Sequence, residues 1–338
     1  MVRTVRFWAA LAISAVLIAL FLRAIHPREL ADAFSQVNYW YMAPAVAVLF
    51  VALTIRVVRW SILLRPVAPI APRRLFTYAI IGYMANNLLP ARAGELVRAY
   101  VLGDRERISK VGALGSIAVE RLFDGTTLVL LFVAAGAAVG FNDRRLDIIA
   151  VVSAALFALA LVVFYAVTLS EPRARAVVGA VVRLLPRRFE HRAEEVAENL
   201  LTSLRSVHDL RTLGLVVLLS LAGWTVEAAA YAVIGLGFGF TAGDVNFGHY
   251  VLLLAAANLA IIVPTFFGGT GPFEWAATLV LVGAGVASAQ AGAYSILAHA
   301  VIFIPTTVLG LVFLWSYGVS FARVFRPEAP AEERVSLP

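Results

Sequence analysis

The chain contains no cysteine. Disulfides, thiol nucleophiles and thiolate metal sites are therefore excluded. Histidine is sparse, with five residues at 26, 191, 208, 249 and 299 and no HExxH pairing, so no metal site is expected. No cofactor motif is found either. Charge is scarce: 14% of the 338 residues are Asp, Glu, Lys or Arg, against about a quarter in a soluble domain. That scarcity excludes an ordinary cytosolic enzyme and a disordered chain. It also excludes a nucleic-acid-binding domain, despite a pI near 10.0.

What is present is apolar surface. Hydrophobic residues make up 61% of the chain and the mean hydropathy is +0.87. A helix crossing the hydrocarbon layer needs about 20 apolar residues, and this chain predicts six such spans. They are Phe7–Leu22, Tyr41–Leu64, about Val111–Val139, Leu146–Leu169, Leu213–Gly237 and Ala289–Tyr317. The first follows two arginines but lacks a small-residue cleavage site, so it reads as an uncleaved span.

Two further apolar stretches are broken. One, over 75–103, is interrupted by Pro90-Ala91-Arg92-Ala93-Gly94-Glu95. The other, over 250–286, is interrupted by Pro264 and by Gly268-Gly269-Thr270-Gly271-Pro272. Proline removes a backbone donor and glycine relaxes the chain, so a helix breaks at each. A break at membrane depth survives only inside protein or against a watery cavity. Both stretches are read as re-entrant hairpins.

The fold expected is thus an all-α polytopic membrane protein of six full spans and two re-entrant hairpins. With the N-terminus inside, the inner segments hold 21 basic residues and the outer loops hold four. That split predicts both termini on the cytoplasmic side of the cell membrane. The order span, span, hairpin, span then occurs twice with opposite orientation. Residues 1–140 form one half and 146–318 the other, as in an inverted-topology repeat. Residues 171–211 read as a basic amphipathic insert on the inner surface, or equally as a solvated connector. Loop 23–40, with Leu30, Phe34 and Val37 at helical spacing, is its counterpart outside, and 327–338 reads as a disordered tail.

Function in such a chain is sought in polar residues out of their ordinary solvent. Glu120 and Asp124 share a helix face, with Arg121 beside them and Ser116 one turn away. This set reads either as a self-neutralising ion cluster or as an intramembrane charge and proton path. Glu227 stands alone in its span and needs a partner or a proton. Arg56 and Arg59 are expected to snorkel to headgroups, with Trp60 as an interfacial anchor. His299 is read as a packing residue. The first hairpin is the most polar region, with Asn86, Asn87, Arg92, Glu95 and Arg98. Arginine suits bidentate phosphate contact, so these residues are candidates to bind a lipid headgroup. Gly269, Gly271 and Glu274 are their candidates on the second hairpin, where helix N-termini offer free N–H groups.

The run Asn86-Asn87-Leu88-Leu89-Pro90-Ala91-Arg92-Ala93-Gly94-Glu95-Leu96-Val97-Arg98-Ala99-Tyr100, followed by Ser116 and Glu120-Arg121-Leu122-Phe123-Asp124-Gly125, resembles the flippase-like family. This is also called the lysylphosphatidylglycerol synthase transmembrane-region family. Gly268-Gly269-Thr270-Gly271-Pro272-Phe273-Glu274, His299 and Pro305 resemble its second pattern. The resemblance covers about residues 5–318. It implies a membrane fold with re-entrant segments that moves lipids between leaflets. Family members that make aminoacylated phosphatidylglycerol carry a separate soluble domain for that chemistry, and no soluble stretch of such size occurs here. The expectation is a lipid translocator rather than an enzyme. Its partners would be the bilayer and a phospholipid or polyprenyl-phosphate lipid, with no nucleic acid. The alternatives are an intramembrane enzyme or transporter acting on polyprenyl-phosphate carriers, or a non-transporting partner of a membrane enzyme; homo-oligomerisation stays open.

Overall fold

The structure is a computed structural model that describes residues 27–89, 93–140, 209–261 and 269–317, with the isolated positions 148, 151, 152 and 155. The expected first span, the fourth apart from those isolated positions, the 171–211 insert up to residue 208, and the tail lie outside the described residues. The described elements are helices: α1 Pro27–Ser35, a 3-10 turn at Tyr39–Tyr41, α2 Met42–Leu64, α3 Pro72–Leu88 and α4 Gly94–Glu106. Then follow α5 Lys110–Val139, α6 Leu210–Gly237, α7 Phe247–Ala260, α8 Pro272–Gly283 and α9 Ser288–Ser316. Among the described residues there is no strand.

Helix ends follow local chemistry. Ser109 caps α5 by accepting from the Gly112 N–H at 3.0 Å. Asp209 does the same for α6 through Thr212 N at 3.1 Å, so that helix starts three residues before the expected Leu213. Pro72 and Pro272 open α3 and α8, a position where the missing N–H costs nothing.

Four helices are long and apolar enough to cross a membrane: α2 with its preceding turn, α5, α6 and α9, of 26, 30, 28 and 29 residues. They match the expected second, third, fifth and last spans. The two broken stretches fold as two helical hairpins, α3–α4 and α7–α8. Their arms have 17, 13, 14 and 12 residues. At about 1.5 Å per residue they measure roughly 18–26 Å, less than the roughly 30 Å hydrocarbon core.

Packing divides each of two long helices between the hairpins. Helix α9 lies along α8 through its first half, where Thr278 meets Ser295 at 3.0 Å. Its second half lies antiparallel to α3, from Asn87 against Thr307 to Tyr78 stacked on Tyr317. Helix α5 does the converse. Its first half meets α4, and its second half meets α7, where Gly248 abuts Val139. Each long helix thus packs first on the second arm of its own hairpin and then on the first arm of the other. Helices α2 and α6 run antiparallel against each other, from Asn38 N–H donating to the Gly237 carbonyl at 2.8 Å to Arg59 donating to Ser220.

Buried apolar side chains follow the same division. One cluster gathers around α7 and α8, with Phe132, Tyr231, Phe273 and Tyr294. A second gathers around α3 and α4, with Trp60, Leu75, Tyr78 and Met84. The two ends of the bundle differ in charge. Exposed Arg65, Arg73, Arg74, Arg105, Arg107 and Lys110 collect at the end holding Tyr317. Trp40 and Trp315 are largely exposed at opposite ends, as aromatic side chains at the two membrane interfaces are.

Candidate functional site

Four arginines and four carboxylates meet where α2, α4, α5 and α6 converge. Arg59 on α2 is fully buried. It donates to Asp124 Oδ1 at 2.7 Å and Ser220 Oγ at 2.8 Å, and lies 3.5 Å from Glu120 Oε1. One turn earlier, Arg56 pairs with Glu227 and lies 3.7 Å over the Trp224 ring. Trp224 Nε1 in turn donates to Asp124 Oδ1 at 3.1 Å.

These contacts correct three expectations. Arg56 and Arg59 do not snorkel, because their side chains point across at α5 and α6 rather than along α2 to its end. Trp60 is no interfacial anchor: it is fully buried, and its Nε1 donates to Ser116 Oγ at 3.0 Å. Glu227 is not alone, since Arg56 is its partner. An unpaired ion in an apolar interior costs several kcal/mol, and these four-helix contacts remove that cost. The residues that sequence reasoning missed are thus Arg56, Arg59, Trp60, Ser220 and Trp224. A usable signal was the Arg–Trp spacing within apolar runs.

Arg98 of α4 closes the cluster from the hairpin side. It lies 3.0 Å from Glu120 Oε2, with its guanidinium 3.4 Å from the centre of the Trp60 ring. Arg121 is held less tightly, at 3.3 Å from Glu120, 3.3 Å from Asp124 and 3.6 Å from Glu95. Its side chain is 32% exposed and that of Glu95 is 29%, against 0–8% for the other cluster partners. The Nε atoms of Arg56, Arg59, Arg98 and Arg121 have no acceptor. Glu120 Oε2 and Asp124 Oδ2 have ion-pair neighbours without hydrogen-bond alignment. The cluster is thus balanced in charge and sealed, except along its Arg121–Glu95 edge.

The first hairpin's tip is tied on both sides. Asn86 Oδ1 accepts from the Gly94 N–H at 2.8 Å, capping the start of α4 from the end of α3. A Cβ at Gly94 would lie 2.1 Å from the Gly82 carbonyl, so only glycine lets the arms close this far. Asn87 Nδ2 donates to Thr307 Oγ1 at 2.9 Å, Thr306 Oγ1 at 3.2 Å and the Phe303 carbonyl at 3.3 Å. Arg92 lies outside the described residues.

The second hairpin's tip is built differently. Gly269 and Gly271 hold φ angles of 97° and 104°, which L side chains avoid. The Gly271 N–H donates to Glu274 Oε2 at 2.6 Å. Glu274 Oε1 lies 2.5 Å from His299 Nδ1. The His299 ring packs 4.6 Å from Phe273 and meets the edge of Phe303. His299 therefore does more than the packing expected of it, and the 25-residue separation from Glu274 hides that link from local spacing. The two tips contact α9 at His299 and at Thr306–Thr307, roughly two turns or about 10 Å apart along its axis. Pro305 lies between them inside the helix.

Long apolar helices, two short-armed hairpins and an ionised interior define a polytopic α-helical membrane protein. The chain belongs to the family described as the lysylphosphatidylglycerol synthase TM region, whose profile matches residues 7–310. It is similar to glycosyltransferase AglD of Haloferax volcanii, at 29% identity over 98% of this chain and 58% of that protein. The chain thus spans little more than half of that relative. Two proteins named UPF0104 membrane protein, from Methanothermobacter thermautotrophicus, are 25% and 27% identical over 92% and 90% of this chain, and 95% and 92% of theirs. No solved structure matches the chain.

Proposed function

We propose that this chain moves a lipid with an anionic phosphate headgroup between membrane leaflets. The observation that carries this reading is the one open edge of the buried cluster. Arg121 is partly exposed, loosely paired and has an orphaned Nε donor. A phosphate is a better bidentate acceptor for guanidinium than Glu95 at 3.6 Å. The headgroup displaces Glu95 and lies on Arg121, with Arg98 behind it. Arg92 sits just before α4 in the chain and adds a further cation. Asn87 holds the hairpin tip in place rather than donating to phosphate, because its Nδ2 is already engaged; Asn86 ties the tip through Oδ1 and keeps its Nδ2 for the headgroup. Gly269 and Gly271 shape the opposite tip.

The swapped packing of α5 and α9 supports the inverted repeat. Exchange of the two hairpins leaves the pattern of contacts unchanged, as a two-fold axis in the membrane plane requires. The arms, too short to span, support the re-entrant reading, and the tips then meet from opposite sides. The end carrying exposed arginines is the cytoplasmic one in this reading, which puts the C-terminus inside. The two halves rock about the tips while the acyl tails stay in lipid.

A test uses proteoliposomes with tail-labelled phosphatidylglycerol or tail-labelled polyprenyl phosphate, the outer leaflet being read by an impermeant quencher. Protein-dependent transfer of one or both, lost in Arg98→Ala and Arg121→Ala, is expected. No transfer of either lipid refutes the proposal. A second reading draws on the name of the Haloferax relative: glycosyl transfer on a polyprenyl-phosphate carrier, by this chain or beside an enzyme it partners. Sugar transfer to polyprenyl phosphate by the purified chain, or a stoichiometric enzyme copurifying with it, would favour that reading.

A further inference from the structure

We infer that Glu274 and His299 form the proton-binding site that couples this lipid movement to a pH gradient, an inference that rests on the translocator reading. The three candidate acids of the charge path differ from Glu274 in their partners. Glu120 and Asp124 are held by Arg59 and Arg121, Glu120 also by Arg98, and Glu227 by Arg56. Arginine never releases its proton in a protein, so these carboxylates face a permanent positive charge. Among the described residues, Glu274 is the buried carboxylate whose charged partner can change state. That partner, His299, is the side chain whose ordinary range of titration spans neutral pH.

The geometry assigns the protons. Glu274 has both oxygens occupied, by the Gly271 N–H and by His299 Nδ1. The short contact to a carboxylate keeps a proton on Nδ1. Nε2 is then the position where a proton is gained or lost. Groups facing this region from packed elements do not replace that role. On α6, Glu227 is bound to Arg56, and Tyr231 is a buried phenol near Val301 and Ile302. On α7, the Tyr250 ring lies tilted against Tyr294 of α9. On α3, Tyr83 packs near Ile302, and Asn87 is neutral. The charged residues of α1, Arg28, Glu29 and Asp32, are exposed.

The charge of the pair supplies the coupling. With neutral His299 the dyad carries one negative charge. Uptake of a proton at Nε2 makes the imidazolium, and the dyad becomes neutral. An anionic headgroup approaching the second hairpin's tip is repelled in the first state and not in the second. The proton enters from the more acidic side, is held while the phosphate passes, and leaves Nε2 toward the more alkaline side. No bond other than N–H is made or broken.

Two measurements test this in the full chain. Transfer of tail-labelled phosphatidylglycerol and of tail-labelled polyprenyl phosphate is followed with and without an imposed pH gradient. Wild-type transfer is expected to rise several-fold with the gradient, and His299→Gln is expected to lose that rise. Equal wild-type rates with and without the gradient overturn the coupling. Independently, histidine NMR of the protein in micelles follows protonation, with the His299 signal assigned by its absence in His299→Gln. A titration between about pH 5 and pH 8, displaced in Glu274→Gln, supports the dyad whatever the lipid assay gives. A His299 signal fixed in one state across that range overturns it. Absence of lipid transfer beside a normal titration refutes the translocator and leaves the proton site standing.

Discussion

The two hairpins solve one problem in opposite ways. The first rests on a sealed set of permanent charges, with Arg98 against Glu120 and Trp60 and with Arg59 behind them. The second rests on a single hydrogen-bonded pair among aromatic rings, Glu274 and His299 between Phe273 and Phe303. Both remove the cost of a polar group in an apolar interior. They differ in what can change afterwards. An arginine partner keeps its proton, whereas a histidine partner is the residue type able to exchange one. In the proposed mechanism the first hairpin is the fixed half of the site and the second the responsive half.

The largest expected effect breaks the fixed half. Arg59→Ala strips Asp124 and Glu120 of a fully buried cation and leaves Ser220 without its donor. Removing one partner of a buried pair costs about 3–5 kcal/mol. Thermal unfolding in detergent should show a lower midpoint for Arg59→Ala than for His299→Ala, whose single hydrogen bond to a carboxylate is worth about 1.5–3 kcal/mol. Equal destabilisation would erase the contrast between the two hairpins.

A smaller and more diagnostic effect comes from Arg56 and Glu227. Each single change, Arg56→Met or Glu227→Leu, strands the other charge and should destabilise by about 3 kcal/mol. The double change removes both charges and should recover most of that loss, because an apolar pair of similar volume is often neutral or better. A double variant as unstable as the sum of the singles would mean that the two do not act as a pair.

The Asn86→Ala change reaches the tip of the first hairpin. It removes the acceptor for the Gly94 N–H and should cost about 1 kcal/mol, as other N-cap losses do. Hydrogen exchange at Gly94 measures it directly. Exchange at Gly94 as slow as in the unchanged protein would show that the cap does not hold the tip.

Some of this architecture is legible in the amino-acid order and some is not, for a physical reason. Spans and breaks are local properties. Twenty apolar residues, or Pro90 and Gly94 in sequence, carry their meaning within one turn or two. The observed ends of α2, α5, α6 and α9 therefore fall within a few residues of the expected ones. The grouping of Glu120, Arg121 and Asp124 is legible too, since helical spacing alone aligns them. Partnership across helices is not local. Arg59 reaches Asp124 across 65 positions, and Arg56 reaches Glu227 across 171. Read alone, an arginine five residues before the end of a span looks like one that snorkels. Only the antiparallel packing of α2 on α6 turns it inward. His299 is hidden in the same way, for its role depends on where α8 lies along α9.

The smallest effect on stability is expected where the effect on transport is greatest. Arg121→Ala removes a side chain that is one-third exposed and loosely paired at 3.3–3.6 Å. Glu120 and Asp124 keep Arg59, so no buried carboxylate is stranded. The loss in stability should stay below about 1 kcal/mol, the scale of an exposed ion pair. Arg98→Ala, by contrast, strips Glu120 of a buried cation and should unfold more readily. Both should lose lipid transfer, but only Arg121→Ala should do so with its thermal midpoint nearly unchanged. That separation identifies Arg121 as the residue that meets the headgroup and Arg98 as the one that supports it. If Arg121→Ala transfers lipid at the unchanged rate, the open edge of the cluster is not the headgroup's entry. The search then moves to the Glu274–His299 end of α9.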